Sequence, residues 1–236
     1  VFEEAGIEKL PENWEEFIEV CRKIKENTDY IPFTYQGGEH SGQHALLNFM
    51  FTNNVGITDE KLNSNINSKE MIETLEFFRT LYKEGLIPEA VASYSSSDTE
   101  RLYISEKIAM KFGTSFSQLK QYPELYKKTS VLPPFAGPSG EARALVWVNS
   151  IMAYSQTDHP EATREFIKWW SENNLSLWTE GGSDSMPARL NYLDNEHFDE
   201  KLLQQIRERV IPVGVSPVWP AESLYPAFSQ MEGENY

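Results

Sequence analysis

The chain is 236 residues long, enough for one large domain or two small ones around a sizeable core, and its 40% hydrophobic and 24% charged residues exclude a disordered polypeptide. Its 21 Lys and Arg against 36 Asp and Glu give a formal net charge of −15, which repels phosphate backbones and anionic lipid and makes nucleic acid and membrane surfaces poor partners. No apolar run approaches the roughly 20 residues a bilayer span requires, and the single cysteine, Cys21, excludes an internal disulfide framework or a Cys-rich zinc site.

In chain order, Val1 to Leu10 carries Glu3, Glu4, Glu8 and Lys9, unlike any signal-peptide core, so the chain reads as mature or as a piece of something longer. Asn13 is placed to cap a helix, with Glu16 three residues on; Trp14, Phe17, Ile18, Cys21 and Ile24 form its apolar stripe. Tyr30 to Tyr35 reads as a short strand that Pro32 confines to an edge or a strand start, and Gln36-Gly37-Gly38 breaks it. Ala45 to Phe51 reads as a buried helix. Ser68 caps the clearest element, whose face is Met71, Ile72, Leu75, Phe78, Leu81 and Tyr82 and which Gly85 stops. Ser93 to Ser97 is a polar loop, Thr99 to Ser105 a helix, and Ile108 to Phe112 a strand. Leu132 to Phe135 reads as a strand end before an exposed turn, and Leu145 to Tyr154 as a strand pair. Pro160 to Glu172 and Phe198 to Val210 read as helices, Gly214 to Pro220 as a loop, and Ala221 to Met231 as a last helix interrupted by Pro226. This interleaving of strands and helices defines an α/β protein.

Catalytic chemistry finds little support. His40 and His44 have a metal-ligand spacing, but Gly38 and Gly42 argue against a regular helix there and no third ligand follows. Gly113-Thr114-Ser115-Phe116-Ser117 lacks the second glycine of a nucleophile elbow, Cys21 lies on an apolar stripe, and no Gly-rich nucleotide cradle occurs. The chemistry implies no cofactor. The 6 Trp, 11 Tyr and 13 Phe are more suggestive. Phe116, Trp147, Trp178 and Trp219 stand at element ends beside polar residues, a mixture that stacks on sugar C–H faces and bonds hydroxyls. Ordinary packing explains each equally well.

Several segments, in order, resemble the extracellular solute-binding proteins of carbohydrate ABC transporters, the family that includes maltose-binding protein. Leu10-Pro11-Glu12-Asn13-Trp14-Glu15-Glu16-Phe17 is similar to its Pro-x-Thr-Trp-Asp-Glu-Leu helix start, and Leu81-Tyr82-Lys83-Glu84-Gly85-Leu86-Ile87-Pro88 to its Tyr-Lys-Glu-Gly-Leu-Ile helix end. Tyr103-Ile104-Ser105-Glu106-Lys107-Ile108-Ala109-Met110 resembles Phe-x-x-Gly-Lys-x-Ala-Met, with Glu106 in place of a common glycine. Phe112 to Phe116 stands where the family often has Gly-x-Trp, so Phe116 replaces a tryptophan. Leu132-Pro133-Pro134, His159-Pro160-Glu161-Ala162-Thr163-Arg164-Glu165-Phe166 and Met186-Pro187-Ala188-Arg189 complete the succession.

The resemblance implies a periplasmic-binding-protein-like type II α/β fold, with most of the second lobe and the segment crossing back to the first. Residues 1–147 would be second lobe, 148–210 first lobe, and 211–236 a return to the second. It implies capture rather than catalysis: two lobes close on a sugar, and the closed form docks on a transmembrane permease. The residues it points to are Gln36, Glu39 and His40; Gly113, Thr114 and Phe116; Trp147 and Asn149; and Trp219, with Asp184 and Arg189 as weaker candidates. The implied location is the periplasm, or the surface of a Gram-positive cell as a lipoprotein. The alternatives are a glycoside hydrolase-like domain using Glu39 and a second acid, and a protein-interaction module without a small ligand. Two expectations follow. Ile151, Phe166, Trp169, Trp170 and Trp178 should expose apolar surface where a first lobe would pack, and Phe116 should lie in a cleft-facing loop as a stacking platform, with Met110 and Phe112 in the core.

Overall fold

The computed structural model describes residues 1–38, 42–59, 61, 63–113, 116–183 and 185–216, and the chain divides into two units. The first comprises Val1–Gly113, Val131–Val146 and the stretch from Glu208; the second comprises Thr114–Ser130 and Trp147–Arg207.

The first unit is built on helix α1 (Trp14–Asn27). Asn13 caps it, its side chain accepting from the Glu16 N–H at 2.9 Å, while the Glu16 carboxylate accepts from the Glu12 N–H at 2.8 Å. Trp14, Phe17, Val20, Cys21 and Ile24 are buried, so the stripe holds except that Val20 takes the inner place of Ile18. Strand β1 (Ile31–Thr34) follows, then α2 (Gly42–Thr52), α3 (Lys69–Lys83), α4 (Ser96–Ile104) and β2 (Ile108–Lys111). Helix α2 begins at Gly42 and includes His44, so the glycine there does not prevent a helix; His40 lies outside the described residues.

Helix α3 is capped by Ser68, whose hydroxyl accepts from the Met71 N–H at 3.1 Å, and Gly85 ends it. Its inner face is Met71, Thr74, Phe77 and Leu81, whereas Ile72, Leu75 and Tyr82 are exposed. Phe77 decides this rotation: its ring lies 4.6 Å from Trp14 and 4.8 Å from Phe49, in an aromatic cluster that also stacks Phe17 on Phe135 at 4.8 Å. Helix α4 starts three residues before the expected Thr99, because Ser95 and Asp98 form a reciprocal capping box inside the serine run.

Strands β1 and β2 pair in parallel, Ile31 opposite Ile108, Phe33 opposite Met110 and Thr34 opposite Lys111. Side chains alternate across a strand, so Phe33 and Met110 face the aromatic core, and Thr34 and Lys111 share the other side. A second parallel pair joins β3 (Ala144–Leu145) to β4 (Gly214–Val215). The expected strand through Tyr154 thus stops after two residues; Val148, Met152 and Tyr154 are exposed and no strand among the described residues pairs with them. The Leu132–Phe135 segment is likewise no ladder, only a run into an isolated bridge between Ala136 and Asn13.

The second unit contains α5 (Pro123–Lys128), α6 (Pro160–Glu172), α7 (Ser176–Thr179) and α8 (Lys201–Gln205), with short 3-10 turns between them. Its buried residues include Leu119, Trp178, Phe198, Leu202 and Leu203, with the Trp178 ring 6.2 Å from Tyr192 and 6.5 Å from Phe198. Helix α6 buries none of its residues: Phe166 is 51% exposed and Trp169 55%. Ile151 is exposed as well, whereas Trp178 is not, since its indole N–H donates to the Ser185 carbonyl at 2.8 Å inside the unit's own core. The final expected helix, Ala221 to Met231, lies outside the described residues.

Candidate functional site

In the first unit the C-terminal ends of β1 and β2 lie side by side, the place where open parallel sheets bind ligands. Beyond β1, half-buried Tyr35 sets its ring 5.4 Å from Phe78, and burial pushes its phenol pKa upward. Gln36 follows, half-buried, and its side-chain oxygen finds no hydrogen-bond partner among the described residues. The next two positions run against the 91–94 turn: the Gly38 N–H donates to the Tyr94 carbonyl at 3.0 Å, and a Cβ on Gly37 would stand 2.4 Å from the Val91 oxygen. Only glycine fits that approach. Beyond β2, the Phe112 N–H donates to the Thr34 carbonyl at 2.8 Å, and Gly113, at φ +95°, turns the chain away. Gln36 and Gly113 are therefore brought to one sheet end; Glu39, His40 and Thr114, which follow them, lie outside the described residues, as do Asp184 and Trp219.

Beneath these strand ends is a polar group that the sequence reading did not single out. Helix α4 places Glu100, 8% exposed, so that its carboxylate Oε2 lies 2.9 Å from Lys111 Nζ. Thr34, fully buried, is the direct cross-strand neighbour of Lys111. The remaining Glu100 oxygen and the Thr34 hydroxyl, like the Gln36 oxygen, have no hydrogen-bond partner among the described residues. The available signal was the polar residue ending each of two otherwise apolar strands, together with an acid on the neighbouring helix.

In the second unit Phe116 is 3% exposed, with its ring 6.4 Å from Tyr126 and Lys120 Nζ 5.9 Å from its centroid. The open stacking platform expected there is corrected by this packing: Phe116, at the start of the 3-10 segment Ser117–Gln121, lies inward against α5. Trp147 and Asn149 are exposed, Trp147 by 42%. The Arg189 guanidinium is engaged with α6: its Nε–H donates to the Ser171 carbonyl, Glu172 stands 3.9 Å away, and the Tyr192 hydroxyl donates to the Glu172 carbonyl at 2.9 Å. A cation on the last carbonyls of a helix is favoured by the helix dipole, so Arg189 clasps the end of α6.

A hollow of about 320 Å³ also lies in this unit, lined by Lys120, Pro123, Tyr126, Lys127, Glu200 and Lys201. Its charges are engaged internally: Lys120 with Glu200 at 3.0 Å, Lys127 with Glu124 at 2.7 Å, and Lys201 with the carbonyls of Lys127 and Thr129. The Tyr126 hydroxyl donates to Glu200, and burial together with the Glu200 charge pushes its pKa up to about 12. None of the residues named from the sequence lines it. Among the described residues no three His, Cys, Asp or Glu are grouped to hold a metal, and burial pushes the Cys21 thiol far above its ordinary pKa, which keeps it a neutral core residue.

The architecture is that of a periplasmic binding protein. The family model for bacterial extracellular solute-binding proteins matches residues 1–173, and the chain belongs to that family. A Brucella abortus (strain 2308) protein provisionally named as a binding protein is 25% identical over 165 residues, covering 68% of this chain and 40% of the relative. A sugar transporter from Arthrobacter chlorophenolicus A6, solved with laminaribiose, superposes with a TM-score of 0.83 at 22% identity over 98% of this chain and 59% of its own. Maltose-bound MalE3 of T. maritima gives 0.76 at 21% identity over 98% and 60%, and a tagatose-bound solute-binding protein of Thermotoga lettingae gives 0.71 at 18% identity over 98% and 60%. The chain thus spans less than two thirds of the length of each of these proteins.

Proposed function

We propose that this chain is part of a protein that captures a sugar or oligosaccharide outside the cytoplasm and delivers it to the transmembrane permease of an ABC transporter. The observation that carries the reading is the solute-binding family match over residues 1–173; the sugars held by the three structural neighbours supply the ligand class. The chemistry supports it. Capture needs no cofactor or nucleophile, only hydroxyl-bonding groups and exposed aromatic faces, and Gln36, Trp147 and Asn149 supply these among the described residues. No described helix is long and apolar enough to cross a membrane. Within this reading residues 1–147 and 211–236 belong to one lobe and 148–210 to the other, and the protein works in the periplasm or as a cell-surface lipoprotein.

The test is titration of the complete protein with maltose, laminaribiose, tagatose and stachyose. Saturable binding of at least one is expected, and at about 100 Kd that sugar adds roughly 2.7 kcal/mol of stability. Hydrolysis of a chromogenic glycoside, abolished by Glu39→Gln, would overturn the reading in favour of an enzyme.

A further inference from the structure

The Glu100–Lys111 pair joins helix α4 to strand β2. Each side chain is 10% exposed, and a buried ion pair rarely stabilises a fold more than an apolar pair of the same shape. It sits on the side of the β1–β2 pair away from the aromatic core, at the strand ends from which Gln36 and Gly113 lead. Among the described residues Glu100 Oε1 and, across the strand pair, Thr34 Oγ1 have no hydrogen-bond partner, and neither has Gln36 Oε1 two residues beyond Thr34. A carboxamide oxygen and an ionised carboxylate oxygen only accept hydrogen bonds, so the polar atoms buried at this end of the sheet carry acceptor rather than donor character. The Lys111 ammonium would attract an anion, but Glu100 at 2.9 Å cancels that charge. In surroundings of low dielectric such a balance acts over several ångströms, without contact.

We infer that Glu100 is a specificity-determining residue of the sugar site, which by neutralising Lys111 beneath the strand ends selects neutral polyhydroxyl sugars over acidic ones. This rests on the sugar-binding reading above and narrows its ligand class. Glu100→Gln keeps the shape of the side chain and shifts the local balance by one positive charge. Glu100→Gln/Lys111→Met removes both charges, a replacement that folded proteins commonly tolerate.

The experiment is calorimetric titration of the complete protein and both variants with maltose and laminaribiose as neutral probes and digalacturonate as an anionic one, alongside thermal melts. The wild type is expected to take a neutral probe and refuse digalacturonate. Glu100→Gln is expected to weaken the neutral sugar tenfold or more and to acquire digalacturonate binding; the double variant, with the charge balance restored, should hold the neutral sugar within about twofold of wild type and refuse digalacturonate. A structural pair alone would change the melts but not the choice of ligand. The inference is overturned if Glu100→Gln binds the neutral sugar within twofold of wild type and still refuses digalacturonate, if the double variant takes digalacturonate, which also decides the matter where the single variant does not fold, or if the wild type takes digalacturonate equally well. A wild type that binds none of the panel overturns the sugar-binding reading itself, and the failure then appears before any substitution is made.

Discussion

Asn53 shows how much a single side chain can tie together. It is fully buried; its amide donates to the Glu70 carbonyl at 2.8 Å and to Glu73 Oε2 at 3.1 Å, and its oxygen accepts from the Ser139 N–H at 2.8 Å. The end of α2, the start of α3 and the turn after Gly137 meet on one carboxamide. Asn53→Ala strands these partners and is expected to cost about 2–4 kcal/mol in a urea melt. The same substitution has a titration signature. The Asn53 hydrogen bond, followed by Lys69 and Ser139, holds the Glu73 carboxyl below the usual carboxylate range. Because the folded pKa is depressed, the associated stability is complete above the unfolded value and is lost as pH falls through the folded one. In Asn53→Ala the Glu73 midpoint, followed by carboxyl NMR, should move upward; an unmoved midpoint would assign the depression to the other partners. Phe116 carries the opposite lesson. Strand alternation gives the right inner positions for Met110 and Phe112 but says nothing of Phe116, whose ring is buried in the second unit. Phe116→Ala is therefore expected to cost about 3–5 kcal/mol of stability and to leave the sugar affinity of the folded protein within about twofold of wild type.

Among the elements, chemistry written in adjacent residues was the legible part. The Asn13 and Ser68 caps, the Gly85 stop and the Pro160 start all stand where local rules put them. The capping box of Ser95 and Asp98 was equally local, but the serine run around it reads as loop. Helix orientation was not legible in α3, because apolar residues cover more than half its circumference and periodicity cannot choose between Phe77 and Phe78; aromatic partners from α1 and α2 choose. Strand length failed for a related reason. The apolar content of Leu145 to Tyr154 suits a ladder, yet beyond Leu145 no described strand is there to pair with. The Glu100–Lys111 contact was invisible because it depends on which side of β2 the helix α4 packs. Helix α6 poses its own test. With Phe166 and Trp169 half exposed, Trp169→Ala should cost under about 1 kcal/mol if that face stays open, and about 3–5 kcal/mol if the complete protein covers it. The lobe assignment proposed above predicts the larger loss, measured by chemical denaturation of the complete protein.

For the whole molecule, a succession of short motifs was more informative than any single site. Composition excluded classes, while the ordered segments from Leu10 to Arg189 pointed to the solute-binding family that the match over residues 1–173 shows. The residues that would touch a ligand were less accessible to this reasoning, since several lie on segments after strands, where direction is set by packing rather than by pattern. Phe116, whose ring is buried against Tyr126, is an example.

The strand pairing carries a kinetic consequence. Ile31 pairs with Ile108, and Ala144 with Gly214, so each described strand pair must bring together stretches of chain separated by tens of residues. Closing such loops costs entropy before any ladder bond repays it, and folds dominated by distant pairings assemble slowly, in milliseconds to seconds, against microseconds for helical bundles. Helices such as α1 and α3, with their caps encoded locally, can form well before the strands meet. Stopped-flow refolding of the complete protein should therefore show helical circular dichroism returning ahead of the fluorescence of Trp14, whose indole N–H finds Thr52 only once α1 and α2 have docked. Coincident phases would mean that the aromatic cluster, rather than the helices, nucleates the fold.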